Sequence, residues 1–170
     1  MRVVLLMAIT INGYIAGLDD DTDWVKDIDA LNQTITEFGV VIMGKRTYLE
    51  CIKYNVFPYK NALNIVMTHN ISLQNKNTDQ ILFLDKSPKE AVDLLKQRGV
   101  KQSLLMGGGH LNGSFLKEGL IDEILLDIHP IIMAKGIHLF ESEFSNQQLE
   151  LLNVQQINDQ IIQLRYRIKK

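Results

Sequence analysis

Ser103-Leu104-Leu105-Met106-Gly107-Gly108-Gly109-His110-Leu111 is the stretch on which the reading of this chain turns. A short apolar run meets three consecutive glycines and re-emerges as a helix-like segment over 110–117. A strand that breaks on glycine and restarts as a helix presents bare backbone N–H groups at the positive end of a helix dipole. That is a seat for a phosphate or pyrophosphate. Glycine suits the turn because it reaches positive φ and leaves no Cβ to hold a ligand off the backbone. A purely structural tight turn is the alternative, but three glycines exceed what one turn requires.

Apolar runs of strand length recur outward from this point, at 3–9, 40–43, 63–67, 81–84 and 103–106. They are rich in Val, Ile and Leu and barely alternate, which marks strands covered on both faces. Helical patterns fall between them. Trp24, Ile28, Leu31, Ile35 and Phe38 recur at helical spacing, with Thr22 or Asp23 as the expected N-cap. A second helix is expected over 47–54. A third opens on Ser87-Pro88 and stops at Gly99. After Gly119 a strand is expected over 121–129, then a hairpin of 148–157 and 160–168 turned at Asn158-Asp159. The expected architecture is α/β in one domain over 1–170: a mainly parallel central sheet, helices on both faces, and a C-terminal antiparallel hairpin.

With 170 residues the chain suffices for one core, and 46% hydrophobic with 22% charged residues is a globular composition. A net charge of −2 gives no electrostatic attraction to nucleic acid or to an anionic membrane. The single cysteine, Cys51, permits no intrachain disulfide and suits a reducing compartment. The opening apolar run stops at Thr10, and no run approaches the roughly 20 residues of a membrane span. A cytoplasmic location is expected.

Three patterns mislead. Gly39 to Lys45 has P-loop spacing, but Arg46 stands where a magnesium-binding Ser or Thr belongs, and the intervening residues read as a buried strand. Gly107, Gly109 and Gly113 miss the Rossmann spacing by one residue. The aspartates at 19, 20, 21, 23, 27 and 29 suggest a calcium loop, yet Trp24 and Ala30 stand where its glycine and glutamate belong. No metal is expected.

Five segments then point one way: Ala8-Ile-Thr-Ile-Asn-Gly-Tyr-Ile-Ala16, Asp23-Trp24, Val41-Ile-Met-Gly-Lys-Arg-Thr-Tyr48, Met106-Gly-Gly-Gly-His110 and His129-Pro-Ile-Ile-Met-Ala-Lys-Gly-Ile-His-Leu-Phe140. In this order the chain resembles the dihydrofolate reductase-like superfamily. Within it, the chain is similar to the C-terminal reductase domain of bacterial bifunctional riboflavin-biosynthesis enzymes. The resemblance implies a three-layer sandwich, an NADPH-dependent reductase and a homodimer.

Carried over by residue, the resemblance implies that Gly44, Lys45, Arg46 and Thr47 hold the cofactor's phosphates. Gly107, Gly108 and Gly109 would form the second phosphate turn, with His110 and Leu111 beside the cofactor. Ala8 and Ile15 would line the nicotinamide, and Thr68 and His69 would favour NADPH through its 2′-phosphate. Asn12 and Trp24 fall on the substrate side, Asn12 where this branch usually carries an aspartate. Asn12-Gly13 also reads as a plain turn, and Trp24 as plain core packing. Asp27 is the candidate catalytic acid, placed to protonate a substrate nitrogen as hydride arrives; a surface acid paired with a cation is the alternative. The expected activity is hydride transfer to a small pterin-like, ribosylaminopyrimidine-like or carbonyl substrate. A non-catalytic NADP(H)-binding module or regulator is the rival reading.

Overall fold

The computed structural model describes residues 1–26 and 28–170, so Asp27 lies outside the described residues. In chain order the elements begin with β1 (Arg2–Thr10), β2 (Tyr14–Ala16), α1 (Ile28–Phe38), β3 (Val40–Gly44) and α2 (Lys45–Lys53). Next come β4 (Leu63–Met67), α3 (Ile71–Gln74), β5 (Ile81–Leu84), α4 (Pro88–Gln97), β6 (Gln102–Leu105) and α5 (Gly109–Lys117). The chain ends with β7 (Glu123–His129), β8 (Ile137–His138), β9 (Leu149–Gln156) and β10 (Ile162–Ile168).

Eight strands form one sheet in the order β5-β4-β3-β6-β1-β7-β10-β9. The first six run parallel, and β10 and β9 add an antiparallel edge. A second, small sheet pairs β2 with β8. The parallel strands do not alternate in hydropathy because helices cover both of their faces. On one face, Ala91 and Leu95 of α4 and Phe115 of α5 pack over Val3, Leu5, Ile42 and Leu105. On the other, Ile35 of α1 and Tyr48 and Cys51 of α2 pack over Val4, Leu6, Val41 and Leu104. Each such buried Leu, Ile, Val or Phe contributes roughly 1.5–3 kcal/mol relative to exposure. This is the expected three-layer α/β arrangement.

Local chemistry sets the helix ends. Ser87 and Glu90 close a capping box at the start of α4, with Pro88 in the first turn as expected. Two helices, α2 and α5, begin instead on Gly44 and Gly108, with no side-chain cap.

The first helix departs from expectation. It starts at Ile28, so Trp24 lies ahead of it and neither Thr22 nor Asp23 caps it. The Val25 N–H donates to the Thr22 carbonyl in a turn before the helix. The apolar spacing of Trp24 is a coincidence of pattern: a tertiary ring contact, described below, fixes this side chain. β2, β8 and α3 are beyond the reach of periodicity because they hold only three, two and four residues.

The closing hairpin forms as expected, with one irregularity. Tyr166 faces Leu151 and Arg165 faces Asn153, so Leu152 is the extra residue of a bulge. The bulge resets the register, so Leu149, Leu151 and Val154 share a face with Leu164, Tyr166 and Ile168. Among the described residues, no helix is long and apolar enough to cross a membrane.

Candidate active site

Adjacent strands β3 and β6 feed helices on opposite faces of the sheet, α2 on one and α5 on the other. A crevice opens at such a switch point, outside the C-terminal ends of the strands. Here it is a cleft of about 1200 Å³. That exceeds the roughly 300–1,000 Å³ of ordinary small-molecule sites, leaving room for a dinucleotide and a second molecule.

Two glycine turns flank the crevice and are tied together: the Gly44 N–H donates to the Gly107 carbonyl at 2.7 Å. The three glycines of the second turn are glycine for three different reasons. Gly107 sits at φ +86°, a backbone conformation that disfavours side chains. A Cβ on Gly109 would lie 2.5 Å from the His138 carbonyl oxygen, so packing excludes it. Gly108 has neither constraint: its φ is −74°, and a Cβ would meet only Thr47 Oγ1 at 3.8 Å. Gly44 is equally unconstrained, with φ −84° and ordinary contacts no nearer than 3.6 Å. Both unconstrained glycines line the cleft.

An approaching ligand explains bare backbone where the fold itself would accept alanine. The residues therefore fit a phosphate-bearing cofactor: two uncapped helix N-termini and two cradles that a Cβ would fill. Ala8, Ile15, Lys45, Arg46, Thr47, Gly109, His110 and Leu111 line the same cleft, as do Thr68 and His69. Gly107 does not line it and acts through its carbonyl.

Several of these side chains already have partners. Arg46 makes an ion pair with Asp20, Nη2 to Oδ1 at 2.6 Å, and the Tyr54 hydroxyl donates to Asp23. The loop 17–26 is thereby latched to α2. At the far end, Thr68 Oγ1 accepts from the Asn70 N–H at 3.1 Å. His69 Nδ1 meets Asp85 Oδ1 at 2.5 Å, and the Ser87 hydroxyl belongs to the capping box. His110 Nδ1 donates to the Glu141 carbonyl at 2.8 Å, pinning the loop behind α5. Cys51 Sγ lies 3.4 Å from the Tyr59 hydroxyl, and burial pushes both groups above their ordinary pKa values. The thiol is neutral packing in the cleft wall, as the sequence suggests.

On the substrate side, Asn12 and Trp24 stand outside the cleft lining. The Asn12 amide clamps the Met133 backbone, donating to the carbonyl at 2.7 Å and accepting from the N–H at 3.1 Å. With Gly13 at φ +93°, this is the turn reading. Trp24 is also absent from the lining: its ring stands edge-on to His129, 5.2 Å between centroids. Its buried Nε1 has no hydrogen-bond partner among the described residues.

The groups that do face the cleft here are Asp127 and His129 of β7, which the sequence reading passes over. His129 is buried, and both ring nitrogens are engaged. Nε2 accepts from the Lys26 N–H at 3.2 Å, and Nδ1 donates to the Asp127 carbonyl at 3.0 Å, which assigns the neutral Nδ1–H tautomer. Asp127 Oδ1 accepts from the Gln163 amide of β10 at 2.8 Å. A signal exists in the sequence: Asp127 interrupts the apolar strand Ile124-Leu-Leu-Asp-Ile128 with a charge. No group of described residues could hold a metal ion.

Comparison with known proteins agrees with this geometry. The uncharacterized protein YwjB of Bacillus subtilis (strain 168) is 29% identical, over 97% of both chains. A provisionally named riboflavin biosynthesis protein from Shewanella sp. PV-4 superposes with TM-score 0.84 at 22% identity, over 100% of each chain. A diaminohydroxyphosphoribosylaminopyrimidine deaminase/5-amino-6-(5-phosphoribosylamino)uracil reductase from Thermotoga maritima gives TM-score 0.78 at 18% identity, over 99% of this chain and 56% of that one. The fold they share is that of dihydrofolate reductase. The RibD C-terminal domain model matches residues 2–163, and the chain belongs to that family.

Proposed function

We propose that the chain is an NADPH-dependent reductase acting on a small heterocyclic or carbonyl substrate, pterin-like or ribosylaminopyrimidine-like. The observation that carries this reading is the pair of unconstrained glycines, Gly44 and Gly108, at two uncapped helix ends over one cleft. The backbone N–H groups in the first turns of α2 and α5, which the bare glycines leave open to approach, would hold the pyrophosphate with Lys45 and Thr47. Ala8 and Ile15 would wall the nicotinamide, and Thr68 and His69 lie at the 2′-phosphate end. When bound, the cofactor supplies a hydride to the carbon of a C=N or C=O bond, while the heteroatom takes a proton from water or an acid. The chain binds, orients and excludes solvent. A proton-donor role for Asp27 belongs to the same proposal: Asp27→Asn is expected to slow turnover and leave NADPH affinity unchanged.

NADPH titration by protein fluorescence, followed by cofactor oxidation against a panel of pterins, aminopyrimidines and carbonyls, tests the reading. Absence of NADPH binding overturns it. Binding without oxidation of any panel member supports the rival, a non-catalytic NADP(H)-binding module or regulator. That rival draws support from Asn12 and His129, whose polar side-chain atoms are all engaged within the protein.

We also propose a homodimer built on β9, the sheet edge. The bulge keeps Leu149, Leu151 and Val154 on one face, and each is more than 40% exposed. A neighbouring copy would cover that face. Leu151→Lys is expected to convert a dimer to a monomer by light scattering; a wild-type monomer at high concentration removes the proposal. A cytoplasmic location follows from the cofactor pool such a reductase draws on.

A further inference from the structure

We propose that Asp85 sets the choice between NADPH and NADH. Its carboxylate accepts a hydrogen bond from the 2′-hydroxyl of the adenosine ribose, so the chain takes NADH beside NADPH. The inference rests on the reductase reading and refines which cofactors that cleft admits.

The sheet register leads to this residue. Gly44, at the first glycine turn, is paired with Met67 of β4, and Met67 is paired with Leu84 of β5. Asp85 is the next residue, and it lines the cleft together with His69. The Thr68 N–H donates to the Leu84 carbonyl at 2.8 Å, which ties the two strand ends together. Two strand spacings, roughly 10 Å, separate the glycine turn from β5. From a pyrophosphate seated at Gly44, that span leads to the far ribose of a dinucleotide.

Charge at this end favours a hydroxyl over a phosphate. The helix that follows Asp85, α4, already has an anion at its N-terminus: the Ser87 N–H donates to Glu90 Oε2 at 2.8 Å. That bond and the Ser87 hydroxyl hold the Glu90 carboxyl below its ordinary value, so it is ionised at neutral pH. The ends of α2 and α5, by contrast, have no side-chain cap. Lys86 also lines this part of the cleft, and its charge acts on Glu90. A 2′-phosphate, with a charge of about −1.5 to −2, would meet two carboxylates here, offset only by Lys86 and His69. In dinucleotide crevices an acid on the ribose 2′-hydroxyl suits NAD, and a cation in its place suits NADP.

Asp85 is also aimed and open. His69 Nδ1 meets its Oδ1 at 2.5 Å, while Oδ2 has no partner among the described residues. The side chain is 46% exposed, so a ligand can reach it. An ionised carboxylate oxygen makes a strong acceptor for a hydroxyl. His69 and Lys86 remain to meet a 2′-phosphate, which is why NADPH is admitted as well.

The test titrates NADH and NADPH by calorimetry into wild type and Asp85→Asn, at low salt and near 1 M NaCl, with thermal melting of each protein. In wild type the two affinities should lie within about tenfold of each other. Asp85→Asn should weaken NADH roughly three- to tenfold, because the hydrogen bond loses its charge. It should strengthen NADPH by a similar factor, because a like charge is removed. The NADPH gain should shrink near 1 M NaCl, where charge is screened, while the NADH loss persists because it is a contact. Wild type preferring NADPH by more than about 100-fold overturns the inference, as does an unchanged NADPH-to-NADH ratio in Asp85→Asn. Both of those outcomes leave the reductase reading standing. Binding of neither cofactor overturns the reductase reading and the inference with it. If Asp85→Asn melts far below wild type, Asp85→Ser takes its place and the same ratio decides.

Discussion

The two halves of the cleft are built in opposite ways. The half proposed to hold the phosphates is made of backbone: two strand-to-helix turns, each contiguous in sequence, joined by the Gly44–Gly107 hydrogen bond. The other half, where the substrate is proposed to lie, presents single side chains, Asp127 and His129 from β7, and Asp127 is held by Gln163 of β10 through strand pairing across 36 residues of chain. Backbone sites depend on what is missing, namely Cβ atoms. Side-chain sites depend on what is present and on the register that aims it. Substitutions in the two halves should therefore fail differently.

The largest expected effect is at Gly108. Gly108→Ala fits the backbone, since φ is −74° and the nearest atom to its Cβ is Thr47 Oγ1 at 3.8 Å. It should leave the melting temperature within a few degrees of wild type. It should also weaken NADPH by about 100-fold, which is ~2.7 kcal/mol, by filling the space over the helix end. Loss of stability with retained binding would show that the turn is structural. The neighbouring glycine inverts the pattern. Gly109→Ala places a methyl 2.5 Å from the His138 carbonyl oxygen and 2.9 Å from Glu141 Cγ. Overpacking of this kind typically costs about 1–3 kcal/mol, seen as a lower urea midpoint at unchanged m-value. A Gly109→Ala variant as stable as wild type contradicts the division of labour among the three glycines.

A smaller effect separates structure from binding at the far end of the phosphate half. Ser87 lines the cleft, yet its hydroxyl accepts from the Glu90 N–H at 3.3 Å and donates to Glu90 Oε2 at 2.8 Å. Ser87→Ala should cost about 1 kcal/mol of stability and leave NADPH affinity alone. Glu90 reports the same box through pH. The Ser87 backbone N–H, and then its hydroxyl, hold the Glu90 carboxyl below its ordinary value of 4.5. A depressed folded pKa adds stability that is complete above the unfolded value and is lost as pH falls through the folded one. In Ser87→Ala the Glu90 titration should move up towards 4.5 in an NMR titration. An unmoved curve would show that the backbone N–H alone sets it.

The same division decides what is legible in the sequence. Strands 63–67 and 81–84 match to the residue, because runs covered on both faces announce themselves in composition alone. Ser87-Pro88 locates the start of α4 because a capping box is local chemistry. The glycine turns are legible for the same reason. The spacing of Trp24 mimics a helix, whereas its position is set by His129, more than a hundred residues away. Asn12 falls on the substrate side by resemblance, and its amide is claimed by Met133, equally distant in sequence. Asp127 gives a real signal, a charge inside an apolar strand, but its meaning requires the register with Ala8 and Gln163. Local order reveals backbone sites, while side-chain sites wait on the topology.

The boundary between the halves runs through Arg46, which belongs to the phosphate turn yet is paired with Asp20 of the loop 17–26. The pair is partly exposed, with Arg46 56% and Asp20 29% accessible at the side chain, so its own worth is about 0–1 kcal/mol. Asp20→Asn removes a negative charge beside the proposed phosphate seat and frees the guanidinium. NADPH should bind about two- to fivefold more tightly at low salt, a change within that energy range. Salt screens such a partly exposed charge, so the gain should shrink towards zero near 1 M NaCl, where the Debye length is about 3 Å. Weaker binding in Asp20→Asn means that Asp20 holds Arg46 in its working pose, and the loop is then part of the phosphate site. Tighter binding means that the loop competes with the cofactor for Arg46, and the backbone turns alone define that half of the cleft.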